Sequence, residues 1–395
     1  MTMPLQPQTP RRRPARPRSR GGFLRAQLAA LREPRLLLWF LYILLIPFYV
    51  VPSGLPQPGD LLVLLIFPLA LLGWNGRLHR ESLRSFRALT WFTGWVCAVN
   101  LAWAVILWSW GRDLLPPAFY VYNTAIFFSV LILYQRFGDA FLRVTLYSVF
   151  FVTMLQVVAS FVLLQGGFRG SLFFSNPNQL GYFALLAACV ISLLQDRLRF
   201  GRLNSSIGLT GCAYLALLSA SRSALVGIAL LLVLLLFSNP RLIVLGCLIA
   251  AGLVFAGDTF TQAFDTSQTR FLERRETKLG FFEGRGYDRV WENKQYLVLG
   301  AGEGNVGRFA ETTAIGSMEI HSSAGTILFS YGLVGSLLFL IFLARVIRGA
   351  SFRAILMLLP PLLYTVAHQG MRFTLLWVLL ALFAILKTPD PKPTP

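Results

Sequence analysis

Charge is scarce in this chain, and negative charge scarcer still: 13% of its 395 residues are charged, and only 17 are acidic. A soluble domain carries about 25% charged residues, so a chain that is 55% hydrophobic reads as a membrane protein. Cysteine is also sparse. Cys97, Cys189, Cys212 and Cys247 stand singly in apolar runs, with no Cys-x-x-Cys and no Cys/His spacing, which argues against a disulfide framework and a zinc site. No Asp-x-Asp metal motif is present, and the expectation is a protein without metal or cofactor. The stretch Gly300-Ala301-Gly302-Glu303-Gly304 lacks the Gly-Lys-Ser/Thr of a phosphate loop and follows no strand-helix-strand pattern, so a nucleotide site is rejected. The first 35 residues lack the apolar core of a cleaved signal peptide and read as a disordered, basic cytoplasmic tail. The apolar runs are nearly free of ionisable residues, whereas coupled transporters place acids or bases near the midplane. That weighs against coupled transport.

What is abundant is arginine. The formal net charge is +19, which in a soluble protein would suggest nucleic acid, but its distribution points to lipid instead. Nine arginines precede Leu36, and others fill short linkers such as 77–87 and 197–202. Basic linkers between apolar spans mark the cytoplasmic side, and a basic tail suits anionic lipid. A span needs about 20 mostly apolar residues. Apolar runs occur at 36–52, 60–75, 88–110, 115–134, 144–166, 178–195, 205–220, 223–238, 241–257, 323–344, 354–368 and 372–387. The fold class expected is therefore all-α: a polytopic integral membrane protein with about twelve transmembrane helices, nine in 36–257 and three in 323–387. Residues 388–395 form a second cytoplasmic tail. With the N-terminus inside, the inner linkers and tails hold 24 of the 36 Lys and Arg. Both termini are then cytoplasmic, and the long polar segment 258–322 is a periplasmic loop.

That loop concentrates the ionisable groups. Ten of the 17 acidic residues and one of three histidines lie between Gly257 and His321. Within it, 268–280 and 285–299 read as two short helices, and Gly300–Gly304 as a flexible turn. Arginines on the outer side break the charge bias: Arg112, Arg169, Arg222 and Arg372 at helix ends, with Arg285 and Arg289 in the loop. Guanidinium groups stay charged and make bidentate bonds to phosphate. Snorkelling to head groups is the competing reading, and for Arg112 and Arg372 it stands level with phosphate contact. Arg222, in Ser221-Arg222-Ser223, is wedged between two apolar runs with no acidic neighbour, which favours function. His321, beside Glu319 where the loop re-enters the membrane, titrates near pH 6.5 and can take a proton from a hydroxyl; a capping or packing histidine is the alternative. His368 is a weaker candidate and His79 a solvated one. The Asn176-Pro177-Asn178 turn starts a helix whose amides suit an anion or a sugar, or simply cap it.

Taken together, these residues resemble the O-antigen polymerase and O-antigen ligase superfamily (the Wzy and WaaL type). The landmarks are Phe173 to Gln179 opening a helix, Ser221-Arg222-Ser223-Ala224, Arg289-x-Trp291 followed by Gly300-x-Gly302-x-Gly304, and His321-Ser322 followed by Gly332-x-x-Gly335. They run from Arg169 to Gly335; the earlier helices match only in character. Ser322 departs from the asparagine common at that position. The resemblance implies a metal-independent, inverting glycosyltransferase of the GT-C type in the bacterial inner membrane. Its donor is an undecaprenyl-diphosphate-linked oligosaccharide, and other envelope polysaccharide-assembly proteins are its partners. Carried onto this chain, it makes Arg222 and Arg289 the holders of the diphosphate leaving group and His321 the base. Arg169, Arg285 and Arg372 become further phosphate or sugar contacts, and Asn178 and Glu303 complete the substrate-binding set. The segment Phe174 to Gln179 and the short C-terminus favour a polymerase that joins repeat units. A ligase transferring the glycan to lipid A-core, a transporter of lipid-linked glycan and a non-catalytic scaffold are the alternatives.

Overall fold

The computed structural model describes residues 30–52, 56–72, 74–163, 170–238, 240–256, 265, 268–269 and 280–387. Arg169 and most of 268–280, the first predicted loop helix, lie outside the described residues, as do both tails apart from 30–35. Among the described residues the chain is helical and has no strand. A helix occupies each of the twelve apolar runs. These are α1 (Pro34–Leu45), α2 (Pro58–Leu71), α3 (Arg80–Leu107), α4 (Trp110–Phe137), α5 (Asp139–Leu163), α6 (Pro177–Leu198), α7 (Arg202–Ser219), α8 (Arg222–Ser238), α9 (Pro240–Ala256), α10 (Ser323–Ile347), α11 (Phe352–Ala367) and α12 (Thr374–Leu386). Five of them, α3 to α6 and α10, are long and apolar enough to cross a membrane; the others are shorter or less apolar. The protein is a multi-pass membrane protein.

Local chemistry sets the helix starts. Proline opens α1, α2 and α6, where its missing N–H costs nothing. Asn176 caps α6 by accepting from Gln179 N, and Ser322 and Ser351 cap α10 and α11 in the same way. Gln57 and Asp60 close a reciprocal capping box on α2. Two helices are apolar all round and buried accordingly: α12, whose residues Leu375 to Ile385 are all buried, and most of α6. Around them, α3, α5, α8 and α10 turn outward faces of large apolar side chains, among them Trp91, Val158, Phe237 and Leu337. Such patches are untenable in water and stable against lipid.

The loop corrects two expectations. Residues 285–299 do not form one helix. They form three short turns, Glu283–Arg285, Asp288–Glu292 and Lys294–Tyr296, because Gly286 takes a positive φ of 80° and Asn293 leaves helical geometry. The Asn293 side chain donates to Arg289 O at 3.1 Å, competing with the helical ladder. Nor is Gly300–Gly304 a flexible turn. Helix α10 breaks at Gly332 (φ 65°, ψ −168°), and the loop threads into the break. Ala301 N and Gly302 N donate to Phe329 O and Ser330 O at 3.0 and 2.9 Å, and Leu333 N donates back to Leu297 O at 2.8 Å. The indoles of Trp95 and Trp103 donate to Tyr331 O and Gly300 O. The broken helix thus leaves these backbone groups satisfied, as the membrane interior demands. Only glycine fits here: a Cβ on Gly332 would lie 2.3 Å from Val298 O, and one on Gly300 2.3 Å from Ser330 O. A small core of Val290, Ala301, Phe309, Ile320 and Phe329 closes the loop against α10.

Candidate active site in a polar cavity

The starts of α2, α6 and α12, the stretch Leu115 to Asn123 of α4, and His321 just ahead of α10 line one cavity of about 640 Å³. A helix N-terminus carries a partial positive charge, and its capping residues satisfy only some of its free N–H groups. Asn176, Asn178 and Gln179 line the cavity at the start of α6; Gln57 and Asp60 do so at the start of α2, and Phe373 and Thr374 at the start of α12. Arg285, His321, His368 and Arg372 complete the charged and titratable lining.

His321 is set by its backbone, whose N–H donates to Arg285 O at 3.0 Å. The next residue, Ser322, is fully buried: its Oγ accepts from Gly325 N at 3.0 Å and lies 2.6 Å from the Tyr287 hydroxyl. Serine and asparagine both cap helices, so the departure at this position keeps the capping function. Burial pushes the pKa of His321 below its ordinary 6.5, the Arg285 guanidinium pushes the same way, and Glu319 opposes. The ring is therefore mostly neutral at pH 7 and able to accept a proton. Nearby, Arg285 Nη1 stands 3.4 Å from His368 Nδ1. An arginine can only donate, so that nitrogen accepts. Tyr364 stacks on the His368 ring at 4.7 Å and donates to Asn178 O at 2.9 Å, joining this corner to α6.

Arg372 reaches the cavity already bridged. Its Nη2 binds Glu303 at 2.6 Å and its Nη1 binds Glu319 at 2.7 Å. Glu303 is only 5% exposed and does not line the cavity. It accepts from Tyr331 and Tyr120 hydroxyls at 2.7 and 3.4 Å, while its N–H donates to Asn100 at 2.9 Å. Its place is to pin the glycine-rich turn into the bundle and to hold Arg372.

Arg289 is separated from this group. It is 1% exposed, and its Nη2 donates to Gly316 O and Met318 O at 2.9 and 2.8 Å while its guanidinium packs over Phe309. It organises the segment that leads into Glu319 and His321 and does not face the cavity. Arg222 opens α8, half-buried, and is absent from the cavity wall. Its turn backs the start of α6: a Cβ on Gly181 would lie 2.5 Å from Ser219 Oγ and 3.0 Å from Ser221 Cβ.

Sequence reasoning missed the wall made by α1, α2 and α4: Tyr42, Gln57, Asp60, Tyr122 and Asn123. The Tyr122 hydroxyl donates to Asp60 at 2.6 Å. Asp60 reads in sequence as a span edge; the polar pair Tyr122-Asn123 inside an apolar run was the available signal. The chain matches no protein-family model and no curated protein.

Proposed function

We propose that this protein is a bacterial inner-membrane glycosyltransferase that uses an undecaprenyl-diphosphate-linked glycan as donor and polymerises repeat units. In this reading all twelve helices cross the bilayer, both termini are cytoplasmic, and the cavity opens to the periplasm. The observation that carries it is the meeting of His321 and Arg285 with the N-terminus of α6 in one cavity large enough for a diphosphate and adjoining sugars. The biased distribution of arginine supports the orientation.

The chemistry needs one bond made and one broken. His321 takes the proton of the acceptor hydroxyl as its oxygen attacks the anomeric carbon from the face opposite the diphosphate. The anomeric C–O bond breaks, and the undecaprenyl diphosphate leaves with the electron pair, inverting the centre. Arg285 and the α6 amides stabilise the charge gathering on the leaving group. Arg372, neutralised by two carboxylates, contributes position more than charge. Arg289 acts behind the site by setting the approach to His321, and the turn that carries Arg222 backs the start of α6 through Ser219 and Ser221.

The test uses purified protein and an undecaprenyl-diphosphate-linked repeat unit, with no nucleotide sugar. The polymerase reading expects a ladder of longer lipid-linked glycans that vanishes in His321→Ala. Transfer only after lipid A-core is added makes the chain a ligase. Vectorial movement of the lipid-linked glycan across liposomes without a new glycosidic bond replaces catalysis with transport.

A further inference from the structure

The long loop carries an apolar surface that the cavity does not use. From Tyr296 to Gly302 the chain has no charged residue, and Val298 and Leu299 are 57% and 60% exposed. They do not sit on a free arm. Leu333 N and Val334 N of α10 donate to Leu297 O and Val298 O at 2.8 and 3.3 Å, and Gly300 N donates to Tyr296 O at 2.8 Å. The Trp103 indole of α3 donates to Gly300 O at 3.1 Å, and its ring meets the Tyr296 ring edge-on. Val298 and Leu299 are therefore held at the level of Leu333 on α10 and of Trp103 on α3.

Both helices give the depth of that level. The apolar stretch of α3 runs from Arg87, its last charged residue, to Trp108, which stands exposed at the helix end against Trp110. At 1.5 Å per residue these two lie about 31 Å apart. That matches the roughly 30 Å of a hydrocarbon layer, with arginine at one rim and tryptophan at the other, as in membrane spans. Trp103 lies about 8 Å inside the Trp108 rim. Helix α10 agrees: Leu333 lies about 18 Å from Arg345, the first charged residue of that helix. No residue of α10 before Leu333 is exposed. From there on Leu333, Leu337, Leu340 and Ile341 form one outward apolar stripe, and Val298 and Leu299 extend it.

We infer that residues 297–300 are a re-entrant segment immersed in the hydrocarbon layer, in the leaflet at the cavity end of the bundle, with Val298 and Leu299 against lipid acyl chains. Non-helical backbone is tolerated at that depth only where the protein pairs its polar groups, and the bonds to α3 and α10 do so. The segment leads directly into Glu303, which holds Arg372 on the cavity wall, so that wall is tied to the bilayer through this stretch. The inference stands apart from the glycosyltransferase reading and holds for any activity of the cavity.

The experiment uses the wild-type full chain in nanodiscs whose phospholipid carries a trifluoromethyl-phenyldiazirine partway along one acyl chain. After irradiation and trypsin cleavage, adducts are located by mass spectrometry; Lys294 and Arg308 bound a peptide, 295–308, that isolates the segment. Adducts are expected on Val298 and Leu299 at a yield comparable to Leu337 and Leu340, and none at the exposed loop residue Glu311. In a second measurement, Leu299→Asp places a carboxylate in hydrocarbon and is expected to lower the thermal midpoint in nanodiscs, while Leu299→Phe leaves it in place. A labelled Leu337 beside an unlabelled 295–308 peptide overturns the inference and leaves this patch to water or to another protein. So does a Leu299→Asp midpoint equal to that of wild type, the result for a substitution on a water-exposed surface.

Discussion

Arg285 and Arg289 belong to the same short stretch of the loop and end in different worlds. Arg285 lies on the cavity wall, its guanidinium beside His368 and its carbonyl holding the His321 backbone. Arg289 is enclosed, its Nη2 turned to the carbonyls of Gly316 and Met318. The same residue type serves charge in one place and architecture in the other, and what separates them is the partner atom. The two regions are nonetheless joined: the segment that Arg289 holds runs directly into Glu319 and His321. The loop core therefore sets the site without touching it.

The largest expected effect breaks the architectural side of this comparison. In Gly332→Val a β-branched residue must adopt a φ of 65° with its Cβ 2.3 Å from Val298 O. The backbone strain alone costs about 1–3 kcal/mol, and the clash prevents the loop from docking. The expected outcome is loss of monodisperse protein on size exclusion; a wild-type profile would show that the loop does not need the helix break.

Next comes His321→Ala, expected to reduce transfer by roughly 10²–10⁴-fold, the range of a general base, with an unchanged thermal midpoint. A drop in midpoint matching the drop in activity would make His321 a packing residue. The arginine pair follows. Arg289→Ala empties a fully buried side-chain site and removes a donor from Gly316 O and Met318 O; it is expected to cost about 1–3 kcal/mol, seen as a lower midpoint in thermal denaturation. Arg285→Gln should leave the midpoint in place and slow transfer. If the two variants exchange these phenotypes, the division between wall and core is wrong.

The smallest effects are shifts in pH dependence. In the proposed reaction His321 must be neutral, so the rate is expected to fall as pH drops through the pKa of that ring. Burial and Arg285 hold that pKa below 6.5, and Glu319 opposes them, so the acidic limb should lie below 6.5. Removing the positive charge in Arg285→Gln raises the pKa and moves the limb to higher pH. Removing the negative charge in Glu319→Gln lowers it and moves the limb the other way. Limbs that stay in place in both variants would detach the titration from His321.

Much of the scaffold was legible from the chain. All twelve apolar runs are occupied by helices, because a segment bathed in lipid must be apolar and must pair its own backbone. The Asn176-Pro177-Asn178 turn marked the start of α6. The site was legible only in part. His321, Arg285, Arg372 and Asn178 stood out because each is polar at a boundary, and the cavity gathers them. Arg289 lies off the cavity, and an arginine that braces carbonyls and one that binds phosphate look identical in sequence. Asp60, Tyr122 and Asn123 went unseen because their meeting depends on α2 and α4 starting side by side, a long-range fact no local pattern carries. The glycine-rich turn misled in the opposite sense. Glycines that suggest flexibility there serve close backbone approach, which only the break at Gly332 reveals.

The most direct test of the account is chain extension of an undecaprenyl-diphosphate-linked repeat unit, measured per folded molecule and across pH, in wild type and in Arg285→Gln. The account predicts a ladder of products whose acidic limb lies below 6.5 in wild type and moves to higher pH in Arg285→Gln. A chain that makes no glycosidic bond, or one whose limb ignores Arg285, would contradict it.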